Sequence, residues 1–213
     1  MKSNMSEPKL ILASKSPRRR YLLRQAGLEF TVLPSQFDES SVPMQNPASY
    51  VKTLAYAKAM EIARKYPESW VIGADTVVVI DDAILGKPRC AEDARKMLER
   101  LSGKAHQVHT GYAVCCLAED CRFCETITTA VYFKTLTPDE IEWYIQTGEP
   151  FDKAGAYAIQ GIGTFLVKRI EGSYTNVVGL PVCELIEFLI KEGVVGRADR
   201  KLPVIQKGDG CRL

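Results

Sequence analysis

Apolar and polar positions along this chain follow two periods, one close to two residues and one close to 3.6. Short apolar runs predict strands, whereas apolar residues three and four apart predict helices, above all where a capping residue and a proline precede them. In chain order the pattern predicts a strand over Leu10–Ala13, a helix from Ser16, a strand over "LEFTVLPS", a helix from Asn46 to about Tyr66, a strand over "WVIGADTVVVI", a helix over Ala91–Leu101, a hairpin of Gln107–Leu117 with Arg122–Leu136, a helix capped by Thr137, a strand over "GTFLVKRIEG" and a last helix from Pro181 to about Lys191.

The order of these elements predicts the fold class. Strands and helices alternate in the first half and a long hairpin follows, so we expect an α/β fold with a mixed, twisted sheet flanked by helices. The periodicity is lost in "GRADRKLPVIQKGDGCRL", which carries five basic and two acidic residues. We therefore predict one domain over residues 1–195 and a loosely ordered tail over residues 196–213.

The charge balance limits the partners of the chain. Its 213 residues carry 28 basic and 26 acidic side chains, a net charge of +2. So small a charge argues against a nucleic-acid backbone or a membrane surface as the main partner, and any anion must be bound locally. No apolar run is long enough to span a membrane, and the polar start "MKSNMSEPK" lacks the core of a signal peptide, so we expect a cytoplasmic protein.

The cysteines raise the possibility of a metal site. Seven cysteines, an odd number, are scattered through the predicted elements, which disfavours a secreted disulfide framework. Cys121 and Cys124 have the spacing of zinc ligands, but no second such pair follows them. Between a zinc site and a hairpin connection over Cys121–Cys124, we favour the connection.

Two charged residues occupy positions that the hydrophobic pattern reserves for the core. Lys58 falls on the apolar stripe of its helix, seven residues after Val51 and four before Ile62. Its ammonium therefore either meets an anion or reaches solvent along the edge of the stripe. Asp75 interrupts an apolar strand, where a carboxylate is unexpected unless it meets a cation, a metal or several donors. Gly73 allows the strand to bend, which would place Asp75 at a strand end facing a cleft.

Three arginines lie in the first turn of a predicted helix, at the positive end of its dipole. Arg18, Arg19 and Arg20 follow the N-cap Ser16, where the helix dipole disfavours each cation by about 0.3–1 kcal/mol. A phosphate bound at this helix end would reverse the sign of that interaction, and free backbone N–H groups there would help to hold it.

Further candidates lie in loops: Asp38 and Glu39 in "FDES", Lys87 in "LGKPR" and Lys153 in "FDKAGAYAIQGIG". Hydrolysis of a polyphosphate needs cations on the phosphate oxygens, a divalent metal, and a carboxylate that orients water or accepts its proton. The chain has candidates for all three roles. It lacks the glycine and lysine spacing of a Walker loop, so an ordinary nucleotide-driven motor or switch is disfavoured.

Seven segments, in order and at similar spacings, resemble the Maf family of nucleotide pyrophosphatases: "LILASKSPRRRYLLRQAGLEF", "FDES", "LAYAKA", "VIGADTVV", "ILGKP", "LSGKAHQVHTG" and "FDKAGAYAIQGIG". The resemblance covers the chain from about Leu10 to Ile190. It implies an architecture similar to that of the inosine-triphosphate pyrophosphatases, with a cleft between two lobes and frequent homodimerisation. The implied reaction is hydrolysis of a nucleoside triphosphate to the monophosphate and pyrophosphate, assisted by Mg²⁺ or Mn²⁺.

The resemblance also implies roles for single residues. The family's proton acceptor matches Asp75, which with Glu39 would hold the divalent cation, and its two site lysines match Lys58 and Lys87. Its substrate loop matches four residues, the serines Ser14 and Ser16 and the phosphate-binding arginines Arg18 and Arg19. Arg20 falls where relatives vary, so we expect it to face solvent.

Three positions bear on the substrate. Arg18, Thr76 and Gln160 match the branch of the family that acts on dTTP and UTP, which implies a pyrimidine triphosphate as substrate. Gln160 offers both a donor and an acceptor to the edge of such a base. The alternative is a non-enzymatic regulator of cell division that binds a protein or a nucleic acid, because the family name is associated with inhibition of septum formation.

Overall fold

The computed structural model describes residues 9–43 and 46–196. Apart from Gly196, the predicted tail lies outside the described residues. The strands are β1 Leu10–Leu12, β2 Thr31–Val32, β3 Trp70–Ile80, β4 Ala83–Leu85, β5 Ala105–Cys116, β6 Cys121–Phe133 and β7 Val167–Glu171. The helices are α1 Pro17–Gln25, α2 Pro47–Ala63, α3 Ala91–Leu101, α4 Pro138–Gln146, α5 Tyr174–Val178 and α6 Val182–Lys191. Short 3₁₀ helices cover Glu39–Ser41, Glu149–Asp152, Ala154–Ala156 and Gly161–Leu166.

The seven strands form one mixed sheet in the order β2-β1-β3-β5-β6-β7, with β4 paired to β3. β1 runs parallel to β2 and to β3, and the other pairs are antiparallel. The predicted mixed sheet is therefore confirmed. Among the described helices, none has the length and apolar character needed to cross a bilayer.

The predicted capping residues begin their helices. The Ser16 side chain accepts from Arg19 N, and the Asn46 side chain accepts from Ser49 N. Thr137 and Glu140 form a reciprocal capping box at the start of α4. Three helix starts that were predicted from single polar residues are thus confirmed.

Two predicted strands are too long. β2 stops after Val32 because Leu33 N donates to Leu12 O, the last residue of β1, and no strand continues beyond it. The segment before β7 is a 3₁₀ helix because the N–H groups of Ile162 and Gly163 donate to the Glu149 carboxylate and not to a strand. In this second segment a side-chain carboxylate uses the donors that a ladder would need.

The hairpin connection also differs from the prediction. Cys121 is already the first residue of β6 and pairs with Cys116, so the connection is residues 117–120. Asp120 closes it by donating its N–H to Leu117 O and by adopting a positive φ of 47°. The thiols of Cys121 and Cys124 contact different backbone carbonyls, those of Val114 and Lys52.

Helices pack on the sheet in three places. α1 and α6 cover one face near β1, with Leu22, Leu23, Leu185 and Leu189 in the core. α3 and α4 pack around the far ends of β3, β5 and β6. α2 lies on the opposite face from α1, against β3 and β5. The long strands therefore connect two lobes, and the space between these lobes holds the site.

Candidate active site

The site opens at an unpaired stretch of the central strand. One edge of β3 is paired with β5 from Val71 to Val79. On the other edge β1 pairs with Trp70–Ile72 and β4 with Val78–Ile80, so neither described strand reaches the residues between. A cavity of about 680 Å³, a size typical of small-molecule sites, lies at this gap. Side chains from both faces of β3 can reach it.

Asp75 lies inside a continuous strand, which corrects the expectation that the strand is interrupted there. Its backbone pairs with Gly111 of β5, and β3 continues five residues further to Ile80. The carboxylate is accommodated because Lys58 of α2 lies opposite it and because the free edge of β3 faces the cavity. The cleft is reached through the strand's edge and not through its end.

Lys58 joins two carboxylates. Its Nζ lies 2.7 Å from Asp75 Oδ1 and 2.7 Å from Glu39 Oε1. The side chains of Lys58 and Asp75 are only 11% and 13% exposed, whereas Glu39 is 56% exposed. Lys58 is buried with the apolar stripe of α2, so of the two alternatives left open by the sequence the structure shows the one in which its ammonium meets an anion. Two carboxylate oxygens therefore converge on one positive charge.

This pair of carboxylates fits a divalent cation that arrives with a substrate. Hard oxygen donors suit Mg²⁺ or Mn²⁺, and Mg²⁺ sites often combine one or two carboxylates with substrate phosphates. Glu39 and Asp75 already point at a common positive charge. Among the described residues, no group of three or more His, Cys, Asp or Glu side chains is arranged to hold a metal by itself.

Glu39 is positioned by its neighbour. The Asp38 side chain accepts from Ser40 N at 3.0 Å and caps the 3₁₀ turn on which Glu39 stands. The hydrogen bonds from Ser40 lower the pKa of Asp38. Asp38 does not line the cavity, so of the two loop acids only Glu39 belongs to the site.

Thr76 lies on the other face of β3, beside α1. Its Oγ1 accepts from Arg19 Nη2 at 3.0 Å and shares a hydrogen bond of 3.0 Å with Thr110 Oγ1. Successive side chains of a strand point to opposite faces, so Asp75 and Thr76 flank the cavity from the α2 side and the α1 side.

Arg19 has four protein acceptors. Its Nε donates to Gly179 O at 2.7 Å, and its Nη1 donates to Ala74 O at 2.7 Å and to Ser14 Oγ at 3.2 Å; the fourth bond is the one to Thr76. Burial lowers the pKa of Arg19, and the nearby Asp75 opposes this effect. The helix end itself offers few free N–H groups, because Ser14 Oγ accepts from Ser16 N and Ser16 Oγ accepts from Arg19 N.

Arg18 forms an ion pair with Asp152, which lies on the opposite side of the cavity. Its Nη1 lies 3.0 Å from Asp152 Oδ2, and Asp152 Oδ1 lies 2.5 Å from Lys153 Nζ. Burial raises the pKa of Asp152, but Lys153 and Arg18 together hold it below its ordinary value. Arg20, as expected, is exposed.

All ten residues predicted for the site line this one cavity: Ser14, Ser16, Arg18, Arg19, Glu39, Lys58, Asp75, Thr76, Lys87 and Gln160. Lys87 is exposed just after β4, and Gln160 immediately precedes a 3₁₀ helix. The cavity also contains Tyr50, Asp152, Lys153 and Tyr157. Lys153 and the adjacent Asp152 belong to the motif "FDKAGAYAIQGIG", in which the sequence assigns neither of them a role. Tyr157 belongs to the same motif, where the sequence assigns it no role, and Tyr50 gives no signal in the sequence.

Known proteins are similar to this chain in sequence or in fold. A family model described as Maf-like protein matches residues 9–192. A dTTP/UTP pyrophosphatase from Syntrophotalea carbinolica is 52% identical over 189 residues, covering 87% of this chain and 86% of that protein. The protein of the same name from Geobacter sulfurreducens is 48% identical over 191 residues, covering 90% of this chain and all of that protein.

The Ham1 protein of Staphylococcus aureus, a solved structure, matches with a TM-score of 0.50 over 86% of this chain and 98% of that chain. At 13% identity this match shows a common fold alone, and it agrees with the predicted mixed α/β architecture. The family model spans most of the sequence, and the relatives are about half identical to it. The chain therefore belongs to the Maf family.

Proposed function

We propose that this chain hydrolyses dTTP and UTP to the nucleoside monophosphate and pyrophosphate. The observation that carries the proposal is that ten residues predicted from separate motifs line one cavity at the open edge of β3. Relatives about half identical to the chain are named dTTP/UTP pyrophosphatases, which supports the same substrates here.

Cations on several sides of the cavity would bind the triphosphate. Arg18 comes from α1, Lys58 from α2, and Lys87 from the turn after β4. Charge-assisted hydrogen bonds from such groups stabilise phosphate oxygens, most of all where charge develops in the transition state. Lys153, whose side chain is 13% exposed, adds a fourth cation at the cavity wall.

Asp75 would orient the attacking water toward the α-phosphate and accept its proton. Lys58 fixes the position of the Asp75 carboxylate through the 2.7 Å contact and holds Glu39 beside it. A divalent cation, Mg²⁺ or Mn²⁺ held by Glu39 and Asp75, would neutralise phosphate charge and lower the pKa of the attacking water.

The pyrimidine base would lie on the α1 side of β3. Arg18 and Gln160 line both the main cavity and a shallower groove that continues it past Tyr21. The Gln160 amide has no hydrogen-bond partner among the described residues, so both of its polar ends are open to a base edge. Thr76 faces the same side.

As the family resemblance implies, we expect a homodimer that works in the cytoplasm. The net charge of +2 argues against nucleic acid as a partner. The alternative role as a non-enzymatic cell-division regulator is less well supported, because docking a protein would not require a buried lysine paired with a buried aspartate inside a cavity.

The proposal is tested by supplying the purified chain with each canonical nucleoside triphosphate, with Mg²⁺, with Mn²⁺ or with a chelator. We expect metal-dependent release of pyrophosphate and monophosphate, fastest with UTP and dTTP. Release of inorganic phosphate instead of pyrophosphate, or no metal-dependent hydrolysis of any triphosphate, would contradict it.

A further inference from the structure

We propose that Arg19 is a positioning residue for base selection and not a phosphate ligand. Together with Thr110, it holds the Thr76 hydroxyl so that Thr76 can only accept a hydrogen bond from the substrate. Such an acceptor selects a base that carries a ring N–H, as uracil and thymine do at N3, over cytosine, which has none there. The inference rests on the proposed function, whose substrate preference it explains.

The donors of Arg19 are almost fully used by the protein. A guanidinium has five N–H donors, and four of its hydrogen bonds go to Gly179 O, Ala74 O, Ser14 Oγ and Thr76 Oγ1. A bidentate grip on a phosphate needs two parallel N–H groups on the same side of the fork. Arg19 has at most one left, whereas Arg18, among the described residues, donates only to the exposed Asp152 and can exchange it for a substrate.

The hydrogen bonds around Thr76 determine whether its hydroxyl can donate or accept a hydrogen bond with a ligand. Thr110 donates its hydroxyl hydrogen to Asn176 O at 3.0 Å, so Thr110 Oγ1 must accept in its 3.0 Å contact with Thr76. Thr76 therefore donates its single hydrogen to Thr110, which at 3.0 Å is a nearer acceptor than Gly179 O at 3.5 Å, and one of its lone pairs receives Arg19 Nη2. A hydroxyl oxygen has two lone pairs, so one acceptor position remains for a ligand.

The anchors of this arrangement are rigid. Thr110 and Asn176 are fully buried, and the Asn176 amide donates to Val108 O at 3.1 Å and to Thr129 Oγ1 at 2.9 Å. Arg19 ties the first turn of α1 to β3 and to the turn after α5. Breaking any of these hydrogen bonds would leave a buried polar group unpaired, which favours this one arrangement.

The test compares the variants Arg19→Lys, Thr76→Val and the double variant, with Arg20→Lys as the matched control at an exposed neighbour. The ratio of kcat/KM for UTP to that for CTP should fall about tenfold in each single variant. The ratio in the double variant should fall no further than in Thr76→Val, because Arg19 acts on the ratio only through the Thr76 hydroxyl that it positions. Inhibition by inorganic pyrophosphate should stay unchanged in Arg19→Lys, and the control should match the wild type.

Three results would overturn the inference. Two concern Arg19→Lys alone: an unchanged ratio of kcat/KM for UTP to that for CTP, or inhibition by pyrophosphate that is about tenfold weaker. The third is a double variant in which the effects of Arg19→Lys and Thr76→Val on this ratio multiply. If Arg19→Lys does not fold, Thr110→Val replaces it, because Thr110 is absent from the cavity lining and the change keeps every candidate phosphate ligand. That variant must also lower the ratio of kcat/KM for UTP to that for CTP, or the inference is wrong.

The wild type separates the two proposals. A wild type that hydrolyses no triphosphate would contradict the proposed function itself, whereas an active wild type whose variants keep the same UTP to CTP ratio would contradict only this inference.

Discussion

Lys58 is the residue on which the geometry of the site depends. A buried ammonium without a partner would be unfavourable by several kcal/mol, and the same holds for the Asp75 carboxylate. Their 2.7 Å contact satisfies both charges, and the exposed Glu39 completes the group from the cavity side. A carboxylate held in this way is in place before any ligand binds, which is what orientation of a water molecule requires.

His106 makes the stability of the fold depend on pH. The ring is buried in β5, its Nε2 lies 2.8 Å from Tyr157 Oη, and its Nδ1 has no partner among the described residues. Burial lowers the pKa of His106 to about 4. The unfolded chain, with an ordinary histidine pKa, binds a proton more readily, so this stability is present above about pH 6.5 and is lost as the pH falls toward 4.

We expect His106→Gln to reduce the dependence of stability on pH. Between pH 7.5 and pH 5 the wild type should lose about 2 kcal/mol of unfolding free energy through His106, and the variant should not show this part of the loss. Urea unfolding at the two pH values measures the difference. An equal loss in both proteins would mean that His106 does not titrate on unfolding as described.

Single residues also show how far the sequence can be interpreted. Lys58 and Asp75 were identified because each charge contradicts the period of its element, and the structure brings them together. Arg19 was identified for the same kind of reason, yet two of its acceptors are the carbonyls of Ala74 and Gly179, which no sequence pattern marks. Tyr50 stands in an ordinary helical position, so nothing local predicted that it would line the cavity.

The packing of α2 on the sheet sets the position of Lys58. A Cβ added to Gly73 would lie 2.2 Å from Ala55 O, and one added to Gly111 would lie 2.3 Å from Val51 O. No side chain fits between the helix and the two strands at these points. The glycines therefore let α2 approach closely enough for Lys58 to reach Asp75 at mid-strand.

We expect Gly73→Ala to destabilise the protein by about 1–3 kcal/mol and to lower its activity, because the helix that carries Lys58 must move away from β3. Gly86→Ala is the matched control for stability, since a Cβ there meets nothing within 4 Å. Chemical unfolding of the two variants measures the contrast. Equal stability of Gly73→Ala and the wild type would contradict the close packing.

Helix starts were predictable, whereas strand ends were not. Ser16, Asn46 and Thr137 cap their helices through partners three residues away, which the sequence contains. A strand ends where its partner ends, so β2 stops with β1, and the partners are distant in the chain. The same reason explains Asp75: the opening lies between two neighbouring strands and leaves β3 itself unbroken.

The strands β3, β5 and β6 run through both lobes of the molecule, and their pairing fixes the two walls of the cavity relative to each other. The ion pair of Arg18 with Asp152 crosses the cavity between residues 134 positions apart. The match to the Ham1 protein at 13% identity shows the fold alone, and a fold by itself does not determine a substrate. We therefore expect the side chains at the open edge of β3 to determine the substrate and the chemistry.

We propose that Asp75 activates water for the hydrolysis of UTP and dTTP at the open edge of β3. Pyrophosphate release from UTP by Asp75→Asn, compared with the wild type and with Asp82→Asn as the control, tests it most directly. Asp82 carries the same change in the exposed turn after β3, where its positive φ of 58° suits asparagine. We predict a kcat about 10²–10⁴-fold lower for Asp75→Asn while UTP still raises its thermal midpoint, and a control close to the wild type. A kcat for Asp75→Asn within a few-fold of the wild type would contradict the claim.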